Sequence, residues 1–181
     1  MLNRYQYPII PEIMEIKTTT DILKEAILLE QRGKAFYSGV AEQTASEAVK
    51  QIFSLIASEE EEHIRFLSEQ YTHYRKNNTF LEISAHTGGA PDEVARKVLS
   101  DEMKSQISAA GFEAAAISAA MDFEAKAVEL YSSRAGSASD PNEKALYVML
   151  AEWERGHHQW LARIDKELRE QVWFDNNFWP F

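Results

Sequence analysis

The sequence predicts an all-α protein: a four-helix bundle with a long crossover between helices 2 and 3, the crossover carrying a short extra helix. Three observations predict it. Helix breakers are scarce, with 7 Gly and 5 Pro in 181 residues, which permits long helices and disfavours a many-turned β-sandwich. Apolar residues recur at steps of three, four and seven over four long stretches, the period of helices with one buried face. The second half of the chain also repeats the first at an offset of 94 residues, Glu30 matching Glu124.

The elements follow in order. Thr18-Thr19-Thr20-Asp21 is a helix-start signal, and the apolar period runs from it to about Ala45. Ser46-Glu47 restarts a helix that can continue to about Lys76. The stretch from Asn77 to Pro91, NNTFLEISAHTGGAP, reads as a loop punctuated by Gly88-Gly89 and Pro91. Pro91-Asp92-Glu93 opens the short helix, through about Lys104, with proline at a favourable first-turn position. A third long helix covers roughly Ser108 to Ala135. The segment GSASDP is a turn, in which Asp140 caps a fourth helix running from Pro141 to about Gln171. The tail, 172–181, reads as irregular. Two connections are tight and one is about 30 residues, long enough to carry the chain back along the bundle and set helices 2 and 3 parallel. One domain is expected over 1–181, made of two helical hairpins at about 18–76 and 108–171.

Composition narrows the function. Hydrophobic residues at 45% and charged residues at 27% are the balance of a soluble globular protein. The net charge of -10, from 29 acidic and 19 basic residues, argues against nucleic acid or anionic lipid as partner, since both need a basic surface. The same charge favours a bound cation. With no cysteine, disulfides, thiolate catalysis, zinc fingers and cysteine-ligated iron–sulfur centres are excluded. The N-terminus, MLNRYQYPIIPEIMEIK, has no apolar stretch long enough for a signal or spanning segment, and a cytoplasmic location with no membrane contact is expected.

The repeat carries the chemistry. Its offset takes Tyr37 to Tyr131, Glu60 to Glu154 and His63 to His157. Phe53 likewise meets Tyr147, Ala57 Ala151, Phe66 Trp160 and Leu67 Leu161. A duplicated hairpin folds naturally about a pseudo-two-fold axis, across which equivalent side chains face one another. Helical spacing puts Glu30 and Tyr37 on the inward stripe of helix 1, Glu60 and His63 on that of helix 2, Glu124 and Tyr131 on that of helix 3, and Glu154 and His157 on that of helix 4. Four carboxylates and two imidazoles thus point at the bundle axis.

An isolated buried charge costs about several kcal/mol, so this cluster requires neutralisation. Two divalent cations balance four glutamates when both histidines are neutral. Oxidation to two trivalent ions leaves two positive charges in excess, which an oxide can match, so the arithmetic favours a site that handles oxygen or peroxide. Hard carboxylates with imidazoles suit iron or manganese better than softer metals.

The constellation resembles the ferritin-like superfamily and, within it, the rubrerythrin-type di-iron carboxylate proteins. These carry one Glu on each of two helices and Glu-x-x-His on each of the other two. The resemblance covers about residues 18–170. It implies that Glu30, Glu60, His63, Glu124, Glu154 and His157 are metal ligands, with Glu60 and Glu154 bridging. It implies a cofactor of two iron ions, with manganese or a mixed pair as the alternative. It also implies that Tyr37 and Tyr131 hydrogen-bond ligand glutamates. The activity implied is reduction of hydrogen peroxide or dioxygen by electrons from an external donor protein. The alternatives are ferroxidase or iron-storage handling, and behind them a metal-bound structural module. Two departures stand out. Rubrerythrins usually append a rubredoxin domain with four cysteines, whereas this chain has none, so the electrons are expected from a separate protein. Many also carry an extra metal-facing glutamate three residues after the third-helix ligand, where this chain has Ala127, with Gly33 as its repeat mate.

Neighbouring candidates sort by the same repeat. In the run Glu59 to Glu62, Glu59 could compete with Glu60, but position 153 is Trp and only Glu154 preserves the pairing. Glu59 is instead a candidate to orient His157 through its free ring nitrogen, and Glu61 and Glu62 read as a solvated face. Ile64 matches His158, which leaves His157 as the inward histidine. His73 and His86 lack a Glu three residues before them and read as surface residues. The tail aromatics Trp173, Phe174, Phe178, Trp179 and Phe181 are expected to pack on the bundle end or on a second copy, giving a homodimer.

Overall fold

The computed structural model describes residues 18–83 and 111–175. These form four helices and, among the described residues, no strand: α1 (Thr19–Gln43), α2 (Glu47–Asn77), α3 (Phe112–Ser137) and α4 (Pro141–Asp175). The predicted short helix from Pro91 to about Lys104, His86 and the last tail aromatics lie outside the described residues.

Local chemistry sets the helix ends. Thr18 and Asp21 form a reciprocal capping box: the Thr18 side chain accepts from the Asp21 N–H, and the Asp21 carboxylate accepts from the Thr18 N–H. Thr44 turns extended and ends α1 slightly before the predicted Ala45. Ser46 caps α2 through the Val49 N–H, and Asn78 closes it in the left-handed conformation at φ 55°. Gly111 stands at the start of α3, inside the start predicted near Ser108. The Asp140 carboxylate accepts from the N–H groups of Asn142, at 2.7 Å, and Glu143, at 3.1 Å. α4 passes its predicted end near Gln171 and takes residues 172–175 from the tail into the helix, because no Gly or Pro interrupts the chain there.

The most extensive packing joins α1 to α2 and α3 to α4, so each hairpin pairs within itself. Contacts between the hairpins fix their directions. Glu30 meets Tyr131, Tyr37 meets Glu124, and Thr44 meets Glu113 at 3.0 Å. Numbers climb in α1 as they fall in α3, so those helices are antiparallel. Because α1 and α2 are also antiparallel, α2 and α3 run the same way, which the long crossover makes possible. The crossover begins by folding back along α2: buried Gln70 donates to the Leu81 carbonyl and accepts from the Leu81 N–H, and Phe80 packs on Tyr74.

The buried positions repeat every seven residues. One such seam runs through 23, 26, 30, 33, 37 and 40 in α1; 49, 53, 56, 60, 63, 67 and 70 in α2; 117, 120, 124, 127 and 131 in α3; and 147, 150, 154, 157, 161, 164 and 168 in α4, with further buried residues beside it. Alternating steps of three and four are the seam of helices packed at a shallow angle. Two apolar layers result. One joins Tyr37, Ile52, Phe53 and Ile56 with Ile117, Ala120, Trp160, Leu161 and Ile164. The other joins Leu23, Ala26, Phe66 and Leu67 with Tyr131, Leu146, Tyr147 and Leu150.

Truncating Ile52, which is fully buried, to alanine is expected to lower unfolding free energy by about 2–5 kcal/mol. The same change at neighbouring exposed Lys50 should stay within about 0.5 kcal/mol. Denaturant unfolding followed by circular dichroism measures both.

Candidate metal centre

A polar layer separates the two apolar ones. It is built from Glu30 on α1, Glu60 and His63 on α2, Glu124 on α3, and Glu154 and His157 on α4, none of them more than 4% exposed. Each sits at a seam position, and each Glu-x-x-His occupies two successive positions of one seam. The helical repeat that buries leucine elsewhere therefore buries these polar groups here.

The structure brings all six together. His63 Nδ1 lies 3.3 Å from Glu30 Oε2, 3.3 Å from Glu60 Oε2 and 3.0 Å from Glu154 Oε1. His157 Nδ1 lies 3.7 Å from Glu60 Oε1, 3.6 Å from Glu124 Oε1 and 3.4 Å from Glu154 Oε2. Two groups follow, Glu30–Glu60–His63–Glu154 and Glu60–Glu124–Glu154–His157, each with its donor atoms within 4.8 Å of one another. Glu60 and Glu154 belong to both. The two imidazole rings lie 5.7 Å apart.

Around this layer the repeat crosses over. The Tyr37 hydroxyl donates to Glu124, and the Tyr131 hydroxyl donates to Glu30, each tyrosine reaching from the opposite hairpin. Glu59, partly buried, stands 2.6 Å from His157 Nε2. Glu61 and Glu62 are exposed and pair with Lys34 and Arg65. His73 bonds Asn77 and Thr79 on the outer side of α2 and takes no part. His158 is half-buried and belongs to neither four-residue group. One neighbour escaped the sequence reading: Trp153 stacks on the His63 ring, centroids 4.7 Å apart and planes 9° from parallel. The repeat held the signal for it, since Trp153 is the mate of Glu59 and must face His63 as Glu59 faces His157.

The electrostatics show a cluster short of positive charge. Glu60 Oε1 and Oε2, Glu124 Oε2, Glu154 Oε1 and His157 Nδ1 are buried without a hydrogen-bond partner, which is costly for polar atoms. Burial, then the charge of Glu154, pushes the Glu60 carboxyl well above the usual carboxylate range. Burial likewise raises Glu124, to about 8 against the pull of His157. Burial alone would lower both histidines. The surrounding glutamates outweigh it and hold both well above the usual imidazole range, Glu154 foremost at His63 and Glu124 at His157. Glu154, buried yet flanked by both imidazoles, is held low. Burial and the adjacent carboxylates raise Tyr37 and Tyr131, which keeps their hydroxyls protonated as donors. The cluster thus favours protons or cations among its carboxylates, and its orphaned oxygens could hold a metal ion.

Fold and cluster together define a class: helical bundles whose core carries a carboxylate–imidazole set able to bind metal. The family model described as Rubrerythrin matches residues 21–165, and the chain belongs to that family. No curated protein and no solved structure matches it. No helix among the described residues is long and apolar enough to cross a membrane.

The raised groups give a sign for metal loading. In the metal-free cluster Glu60, Glu124, His63 and His157 are all raised above their ordinary values, Glu124 to about 8, so the cluster favours bound protons. A divalent cation displaces them, so loading should release protons. Calorimetric titration with Mn(II) at pH 7 in buffers of different ionisation enthalpy should show the release, and a buffer-independent heat would contradict it.

Proposed function

We propose that the cluster is a dinuclear metal site, ordinarily of iron, and that the protein reduces hydrogen peroxide or dioxygen with electrons from a separate donor protein. One observation carries the reading: Glu60 and Glu154 are common to both four-residue groups and present oxygens with no partner in the protein. A single ion would leave one group unneutralised, whereas two divalent ions match four glutamates. Two iron ions cycling between divalent and trivalent states would supply the two electrons that, with two protons, turn peroxide into two waters.

The chain's own residues prepare the place. Glu30 and His63 complete one position, Glu124 and His157 the other. Tyr37 and Tyr131 hold one oxygen each of Glu124 and Glu30, so those carboxylates arrive already aimed. The apolar layers above and below keep bulk water from the cluster.

Protein purified without added metal should carry two ions per chain by elemental analysis. Its reduced form should be oxidised rapidly by peroxide in stopped-flow absorbance and should turn over with a reductant. Uptake of many irons per chain would favour iron storage instead, and neither reaction would leave a structural module. Glu60→Gln should reduce the stoichiometry below two, while Glu62→Gln on the exposed face should not change it. Tyr37→Phe should weaken metal binding about 10–100-fold, read by competition with a chelator.

A further inference from the structure

The two halves of the centre are built on one plan but differ in what stands behind each histidine. Offset 94 relates Glu59 to Trp153, and each reaches across to the histidine of the opposite hairpin. Glu59 Oε2 stands 2.6 Å from His157 Nε2. Trp153 instead lies flat on His63, 4.7 Å between centroids and 9° from parallel, with Phe66 at its edge 6.2 Å away. An imidazole N–H points in the plane of its ring, so an indole stacked above that plane cannot accept it. Among the described residues no carboxylate pairs with His63 Nε2, whose ion pairs all run through Nδ1.

We propose that this pair makes the two metal positions unequal: the Glu60–Glu124–Glu154–His157 position fills first, and the Glu30–Glu60–His63–Glu154 position second. The inference rests on the dinuclear reading above. A carboxylate that accepts from the outer nitrogen of a histidine fixes the tautomer with its lone pair inward, makes that nitrogen a better donor and adds a negative charge near the cation. His157 has this support. His63 has an aromatic wall that holds its ring in place but, among the described residues, no carboxylate at Nε2. Glu60 and Glu154 are shared by the two positions, and Glu124 and Glu30 each accept from one tyrosine of the opposite hairpin. Glu59 is therefore a positioning residue, and Trp153 is a built-in reporter of the second position.

The test is titration of the metal-free full chain with Co(II), followed by calorimetry and by tryptophan fluorescence. The expected result is two binding steps separated by about 10–100-fold in affinity. Trp153 emission should change with the second equivalent and not the first, the contribution of the other tryptophans being removed by comparison with Trp153→Phe. Glu59→Ala should weaken the first step by about 10–100-fold, bringing the two together, and leave the second unaltered. Glu59→Gln, whose carbonyl can still accept from Nε2, should recover part of the loss. Glu59 is partly exposed, and far-ultraviolet circular dichroism of its variants should match that of the unaltered protein. Two ions bound with equal affinity, a Trp153 change on the first equivalent, or a Glu59→Ala loss confined to the second step would overturn the inequality and leave the dinuclear reading intact. Absence of Co(II) binding would overturn both.

Discussion

Everything in this protein is arranged around the cost of placing four carboxylates in the middle of an apolar bundle. Dispersed, each would carry a desolvation penalty that no surface ion pair could offset. Gathered on one layer with two imidazoles, they share protons and present a common set of oxygens to cations. The fold supports the gathering in a simple way. Its seam positions run unbroken through all four helices, so the polar layer uses the same inward-pointing slots as leucine and isoleucine on either side. No bulge or loop is needed to deliver a ligand. The apolar layers that stabilise the bundle also raise the energy of an unneutralised centre, which couples stability to occupancy.

Duplication explains the cross-connections. A hairpin brings its own glutamate and its Glu-x-x-His close together, but each tyrosine hydroxyl is satisfied only by the other hairpin's glutamate. The two halves are thereby interlocked at the site as well as along the apolar seam. Where the repeat has drifted, the differences are local. Phe53 answers Tyr147, whose buried hydroxyl has no partner, and Phe66 answers Trp160, whose indole nitrogen has none either. Those substitutions add polar atoms to the apolar layers, outside the carboxylate–imidazole cluster.

Much of this was legible in the sequence, because the repeat supplied a second measurement of every position. Glu59 and Glu60 are equally plausible neighbours of His63 on one helix. Only the comparison with Trp153 and Glu154 separates them, and the structure places Glu60 in the cluster and Glu59 behind it. The helices were legible from period and caps; their ends moved by a few residues where Gly111 and Thr44, rather than the last apolar residue, set the boundary. Contacts between a helix and a connecting segment, which have no periodic signature, were not legible. The clasp of Gln70 on Leu81 depends on how residues after Asn78 fold back, and a lone glutamine announces nothing of it. Trp153 was visible as a mismatch in the repeat, but its stacking on His63 follows only once both hairpins are assembled.

The small residue at position 33 shows how far the centre's demands reach. A glycine inside a helix costs about 1 kcal/mol relative to alanine, and Gly33 occupies a buried seam position three residues after Glu30. A β-carbon there would lie 3.0 Å from Phe123 and 3.6 Å from the Glu60 carboxyl carbon. The space is therefore taken by Phe123, which comes from the opposite hairpin and meets Tyr37 edge-on with centroids 6.2 Å apart. Tyr37, so braced and further packed by Phe36 and Phe53, holds Glu124 by its hydroxyl. The missing side chain on α1 thus sets the orientation of a carboxylate on α3 through two aromatic rings. The helix-propensity cost of glycine is tolerated because the alternative disturbs an oxygen whose position the whole polar layer depends on.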